Sequence, residues 1–405
     1  MLVTSRPYPE IRQHMGEFTN RDLGSYSKAK QDIERCIEER AANLARTKHY
    51  TAKVQTQVSD ILREKADGTL LWVGLACKEL EDVPSKDAVR LLESIPRGLT
   101  HLYKRLFDTA FEESTGVDGL RRILNCVAVC VRPLSVLELS EACELHLDED
   151  DEQTRIQFTR DQIESCRLMV VIQEEKVLLL HQSVKDFLVG AEAGHFMDDL
   201  QTHANLAHRC VDLLIRSFHD TKSSTTDFLS YAIKEWPNHG HLAQSKFEIE
   251  VSQAEFFAIR SECREGWLNL YREAHRKEGI PERASIFHVA ARWGIPALVQ
   301  YVSGGGNFDA GEILSLVDCK SAAGTTAMEE AAKSEFLGVM PLLLDLKGQV
   351  SAQVVRTAAG NWKNGKEIMA LLLDWRGDQI TITEEVVTAA AGNRNGKGIM
   401  TLLLD

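Results

Sequence analysis

Along most of this chain apolar residues recur every three or four positions, the period of one helical face. Ile33, Cys36, Ile37 and Leu44 form such a stripe in KAKQDIERCIEERAANLAR, and Ser27 reads as the cap of that long amphipathic helix. Val54, Val58, Ile61 and Leu62 make a second stripe, ended near Asp67-Gly68. TLLWVGLACKEL at 69–80 is apolar nearly all round, which predicts a buried helix. Ser85, Ala88, Val89, Leu91, Leu92 and Ile95 predict a helix broken at Pro96. Leu99, Leu102, Tyr103, Leu106, Phe107, Ala110 and Phe111 follow as an uninterrupted stripe, and Leu120 to Val131 gives another helix. In RPLSVLELSEACEL, Ser135 and Glu138 stand at capping-box spacing.

The period changes after a helix expected from Thr159 through Cys166. MVVIQ, EE and KVLLLH predict a tight hairpin. In VLLLHQSVKDFL at 177–188, Val177 and Leu179 point to one side of a strand and Leu178 and Leu180 to the other, so burial is expected on both faces. Ser183 with Asp186 reads as an N-cap pair, with Val184, Phe187 and Leu188 on one helical stripe. His181 is left at the mouth of that turn, beside free helix N–H groups. Three helices, a hairpin and a helix are in winged-helix order. FLSYAIKEWPNHGH at 228–241 adds a helix with aromatic anchors; His239 and His241 have no nearby cysteine or carboxylate and read as surface or capping residues.

Self-similarity begins at 285. SIFHVAARWG at 285–294 and GTTAMEEAAKSEFLGVMPLLLD at 324–345 are spaced by more than the ~33 residues of an ankyrin unit, with the excess in GGGNFDAGEI, expected to be a flexible insertion. VVRTAAGNWKNGKEIMALLLD and VVTAAAGNRNGKGIMTLLLD repeat at 31 to 32 residues (Val354 to Val386, Leu371 to Leu402), each predicting two short helices around an Asn/Gly turn. GNWKNGKE at 360–367 fits the first seven positions of a phosphate-binding loop. Glu367, however, replaces the metal-holding hydroxyl, no strand precedes it, and its shortened copy GNRNGKG marks it as a repeat loop.

Composition adds limits. The 405 residues suffice for two to four domains, and 44% hydrophobic with 26% charged residues is ordinary globular usage. A net charge of −13 opposes nucleic acid and anionic membranes as partners. DEDDE at 148–152 reads as a solvated acidic loop. Nine scattered cysteines without a C-x-x-C pair point to free thiols in a reducing compartment, hence cytoplasmic, with no metal site. No window approaches the roughly 18 apolar residues of a membrane span. Neither G-x-S-x-G nor H-E-x-x-H occurs, so a hydrolase has no supporting constellation.

LVTSRP near the start, ADGTLLWVGLACKEL, LLESIPRGLTHLYKRLFD, the strand with His-x-Ser-x-x-Asp-Phe-Leu and the terminal repeats together resemble the NACHT-type signalling NTPases of fungi. The resemblance implies that residues 1–6 are the sensor strand, with Arg6 facing the terminal phosphate of a nucleotide. It implies that 69–80 belongs to a helical lid and that His181 reaches the β-phosphate of bound ADP. SIFHVAARWG resembles the ankyrin opening, whose histidine bonds backbone between units, and Thr326 takes the place of the usual proline in the next.

The family's Walker A and Walker B strands are missing from this sequence. ATP or ADP binding through Arg6 and His181 is therefore expected only when that half is supplied, catalysis is not expected, and the 69–80 helix is expected to lie exposed without its pocket. Oligomerisation, too, is tied to the full module. Met1 falls inside a strand and Asp405 inside a repeat, so both ends look cut.

The expected fold is mainly α. It comprises a truncated NACHT remnant at 1–84, a helical connector and winged helix with a small β-hairpin at 85–190, a helical linker at 191–280, ankyrin-like repeats at 281–350 and degenerate helix-pair repeats at 351–405. The expected function is the regulatory, partner-sensing portion of a NACHT-type protein that binds other proteins through its repeats. The alternative is a standalone ankyrin-like scaffold or adaptor using 228–405.

Overall fold

The computed structural model describes residues 27–114, 116–219, 227–275, 280–304, 309–376 and 380–404. The expected sensor strand at 1–6, with Arg6, lies outside them. The described residues are 70% helical and hold one small three-stranded sheet, which makes the fold mainly α. In chain order the helices before the sheet are α1 (Ser27–Thr47), α2 (Ala52–Lys65), α3 (Leu70–Glu81), α4 (Ala88–Ser94), α5 (Leu99–Glu113) and α6 (Val117–Val129). Then come β1 (Leu134–Ser135), α7 (Val136–Ala142), α8 (Glu152–Glu164), β2 (Val170–Gln173), β3 (Lys176–Leu179), α9 (Gln182–Val189), α10 (Asp199–His219), α11 (Asp227–Leu242), α12 (Ala254–Phe257) and α13 (Glu262–Ala274). The repeats supply α14 (Ile286–Trp293), α15 (Pro296–Gly304), α16 (Ala310–Val317), α17 (Ala327–Lys333), α18 (Met340–Asp345), α19 (Ala352–Gly360), α20 (Gly365–Arg376), α21 (Glu384–Ala391) and α22 (Gly396–Leu404).

Two compact units divide the chain. The first takes residues up to 115, then 165–169 and 180–195. Its core is α3, whose Trp72, Val73, Leu75, Ala76, Cys77 and Leu80 are all buried under α1, α4 and α5. The lid-like helix is therefore covered by its own neighbours and is not an exposed apolar helix. α1 supplies Ile37, Ala41 and Leu44, and α2 supplies Val58 and Leu62, each pair one helical turn apart. Lys65 Nζ donates to the carbonyls of Leu92 (3.2 Å), Glu93 (2.6 Å) and Ile95 (2.8 Å), satisfying the free C-terminal end of α4. Trp72 Nε1 donates to Pro96 O at 3.1 Å, which fixes the break that the proline makes. α9 packs on α5 through Phe187, whose ring centroid lies 5.9 Å from those of both Tyr103 and Phe107.

The second unit holds residues 116–164, 170–179 and 196–405. Its sheet has order β1-β3-β2, antiparallel throughout. The hairpin pairs Gln173 with Lys176, and Glu174 and Glu175 turn with φ of 50° and 60°, the mirror-image geometry that tight hairpins need. Only Val177 of VLLL is fully buried; Leu178 and Leu179 in this unit, like Leu180 in the other, are half-buried, short of the two-sided burial expected. Ser135 and Glu138 form the expected capping box. α8 begins seven residues before Thr159, because Asp151 accepts from Thr154 N (2.8 Å) and so caps it. The acidic 148–152 run is thus partly a helix start, and Thr159, fully buried, donates its hydroxyl to Arg155 O.

α10 and α11 pack side by side, and Trp236, Phe256, Phe257 and Trp267 meet edge to face beneath them. From 286 on, helix pairs stack in two layers. One layer runs α14-α17-α19-α21 and the other α15-α18-α20-α22. The expected flexible insertion runs into the start of α16, held by a capping box between Asp309 and Glu312. The 360–367 stretch joins two helices, with no strand before it. None of the nine cysteines is in a disulfide. Among the described residues no helix is long and apolar enough to cross a membrane.

Candidate functional site

His181 is exposed and is itself the N-cap of α9, where Ser183 was expected. Its Nδ1 accepts from Ser183 N–H at 3.2 Å and lies 2.8 Å from Ser183 Oγ. Ser183 Oγ in turn meets the hydroxyl of buried Tyr103 at 2.9 Å. With Nδ1 accepting, the neutral ring carries its proton on Nε2. The line from Tyr103 through Ser183 to His181 therefore holds an exposed imidazole at a helix N-terminus, a place suited to an anion. The first helix N–H groups are not all left free for a ligand, because the imidazole takes one. Arg6, its expected companion, lies outside the described residues, so nothing here brings the two together.

In the repeats, His288 also holds Nδ1 as acceptor, from Ser285 N–H at 3.1 Å. Its Nε2 faces Thr325 O at 2.9 Å, in the turn that opens the next helix pair. Burial pushes the His288 imidazole below its ordinary range, so it serves as a neutral strut. Further along, asparagines do this work. Asn361 Nδ2 donates to Ala332 O (3.0 Å) and Ser334 O (2.9 Å), while its Oδ1 accepts from Lys363 N and Asn364 N. Asn393 Nδ2 repeats the pattern onto Ala359 O (3.0 Å) and Asn361 O (2.7 Å). Each asparagine thus ties its own turn to the one before it.

The same turns carry aromatic side chains. Trp293, Phe336 and Trp362, with Tyr271, line a groove of about 450 Å³, edged by the ion pairs Lys333–Glu330 and Lys363–Glu335. A second hollow of about 820 Å³ shares Glu335 and Phe336 and adds Phe247, Ile249, Pro296 and Tyr301. Trp362 is 61% exposed, a large apolar surface left to solvent. In the wall of the second hollow, His241 Nδ1 meets Gly294 O at 2.7 Å, and any Cβ at Gly294 (φ +64°) would come within 2.4 Å of Phe336.

His239, expected as a surface or capping residue, is fully buried. It lies 2.8 Å from His203 Nδ1 and 2.7 Å from the Tyr231 hydroxyl. Its burial is decided by α10, a partner helix that no local pattern in 228–241 announces.

Comparison with known proteins adds to this geometry. Residues 108–199 match the family described as "GPI inositol-deacylase, winged helix domain". Residues 342–369 and 371–400 match a "Domain of unknown function (DUF7104)" twice, the first match spanning α19 and the second α21, each ending inside the helix that follows. Over 195 residues the chain is 30% identical to "Vegetative incompatibility protein HET-E-1" of Podospora anserina; these make up 47% of this chain and 14% of that protein. No solved structure matches.

Proposed function

We propose that this chain is the regulatory, partner-sensing portion of a NACHT-type signal-transducing protein, cytoplasmic, which binds other proteins through its repeats and catalyses nothing itself. The observation that carries the reading is the presence on one chain of a winged-helix segment, partial identity to a fungal incompatibility protein of the NACHT class, and stacked repeats with Trp362 exposed at one of their turns. His181, exposed at the helix N-terminus, is the contact to a nucleotide phosphate when a phosphate-binding half is supplied. Arg6 is its counterpart in the resemblance. The repeats, ankyrin-like in the His288 strut, present the turn face to the sensed protein.

The test is a graft. Residues 108–199 replace the corresponding segment of the Podospora protein, and incompatibility is scored with and without His181→Ala. A working graft that becomes unregulated with His181→Ala supports the reading; identical behaviour of the two grafts removes His181 from it. For the isolated chain, Mg-ATP and ADP should leave Tm unchanged. A shift abolished by His181→Ala would mean that the chain binds nucleotide unaided.

A further inference from the structure

The end of α10, α12 and the first turn of α13 bring together three metal-binding side chain types that lie far apart or at unremarkable spacing in sequence. His219 Nε2 is 3.0 Å from Glu255 Oε2, and Cys263 Sγ is 3.3 Å from Glu255 Oε1. Imidazole nitrogen, thiol sulfur and carboxylate oxygen all lie within 4.8 Å of one another. Ligands that sit about 2.0–2.3 Å from a tetrahedral Zn²⁺ are roughly 3.3–3.7 Å apart, so changes of about 1.5 Å or less in the ligand-to-ligand distances complete the geometry.

The platform beneath is tied down. Ser261 Oγ accepts from Arg264 N–H at 3.0 Å and caps α13. The buried Arg264 guanidinium donates to the carbonyls of Phe256 (3.1 Å), Ala258 and Ile259 (2.8 Å). That clamp fixes the loop between Glu255 and Cys263 without touching either ligand atom. Cys263 is only 4% exposed, whereas the side chains of His219 and Glu255 are 59% and 53% exposed. The set therefore has an anchored sulfur and a solvent-side entry.

We propose that His219, Glu255 and Cys263 form a three-ligand Zn²⁺ site with a fourth position open to water or to a side chain of a bound protein. A thiolate beside an imidazole selects zinc-like ions over Mg²⁺ and Ca²⁺, which prefer all-oxygen shells. On loading, Cys263 releases its thiol proton to solvent as the S–Zn bond forms, and the His219–Glu255 and Cys263–Glu255 hydrogen bonds give way to metal bonds. The site stands independently of the proposed sensing role.

The test uses the full chain, stripped with a chelator and titrated with Co²⁺ as a zinc stand-in. One equivalent of Co²⁺ should produce a thiolate-to-cobalt charge-transfer band and tetrahedral visible bands, both bleached by Zn²⁺ and untouched by Mg²⁺. His219→Ala and Glu255→Gln, at solvent-facing side chains, should weaken Co²⁺ binding by at least about tenfold, since even residues behind a metal ligand cost that much. Cys263→Ser should abolish the charge-transfer band with circular dichroism unchanged. Absence of any band overturns the site. So does a band of undiminished affinity in both His219→Ala and Glu255→Gln, which would assign it to other thiols.

Discussion

A neutral histidine sealed between a second histidine and a tyrosine makes stability depend on pH. Burial, and then the neighbouring His203, push the His239 pKa down to about 3, against an unfolded value near 6.5. Between those values the unfolded chain binds a proton that the folded chain refuses. Stability is thus complete above about pH 6.5 and falls as pH drops toward 3, by up to about 1.4 kcal/mol per pH unit. His239→Gln, which still offers hydrogen bonds but cannot titrate, should flatten that slope in denaturant melts taken from pH 7 to 4. His181 works differently, since its ring both caps a helix and is exposed. His181→Asn should keep the N-cap and leave Tm near wild type, whereas His181→Ala should cost about 1 kcal/mol, as lost caps do. Comparing the two separates the cap from any role in phosphate contact.

Among the elements, the turns between stacked helices carry the stability of the repeats. Asn361→Ala would leave the carbonyls of Ala332 and Ser334 and two turn N–H groups without their partner in a buried place. Each such loss costs about 1–3 kcal/mol, so hydrogen exchange should accelerate first in α19–α22 while α14 stays protected. The helix pairs themselves were readable in the sequence, because the apolar stripes and the Ser135–Glu138 box are local spacings. The start of α8 was misread at Thr159 because a capping Asp inside an acidic run looks like any solvated charge. His239 and the His219, Glu255, Cys263 cluster were hidden for another reason. Their partners come from helices 36 residues away, and no periodicity reports which helix packs on which. Asn361 and Asn393 did leave a signal, recurring at the same place in both terminal units, but the sequence pattern read them only as turn formers.

At the scale of the molecule, the first unit is assembled from separate stretches of chain, since α9 returns after β3 to cover α5. Removing that return should uncover the Tyr103 and Phe107 face. Phe187→Ala in the full chain should cost about 3–5 kcal/mol, and a fragment ending at 114 should lose cooperative unfolding in urea. A fragment that melted as sharply as the full chain would show that α9 is dispensable. In the second unit, each repeat asparagine reaches backward, from its own turn to carbonyls made earlier in synthesis. The carbonyls that a newly emerging unit bonds in its predecessor are therefore already waiting when it leaves the ribosome, and the remaining asparagine bonds, in which Oδ1 accepts from N–H groups two or three residues on, close within its own turn. Such an array can set vectorially, one layer templating the next, without a wait for the whole chain.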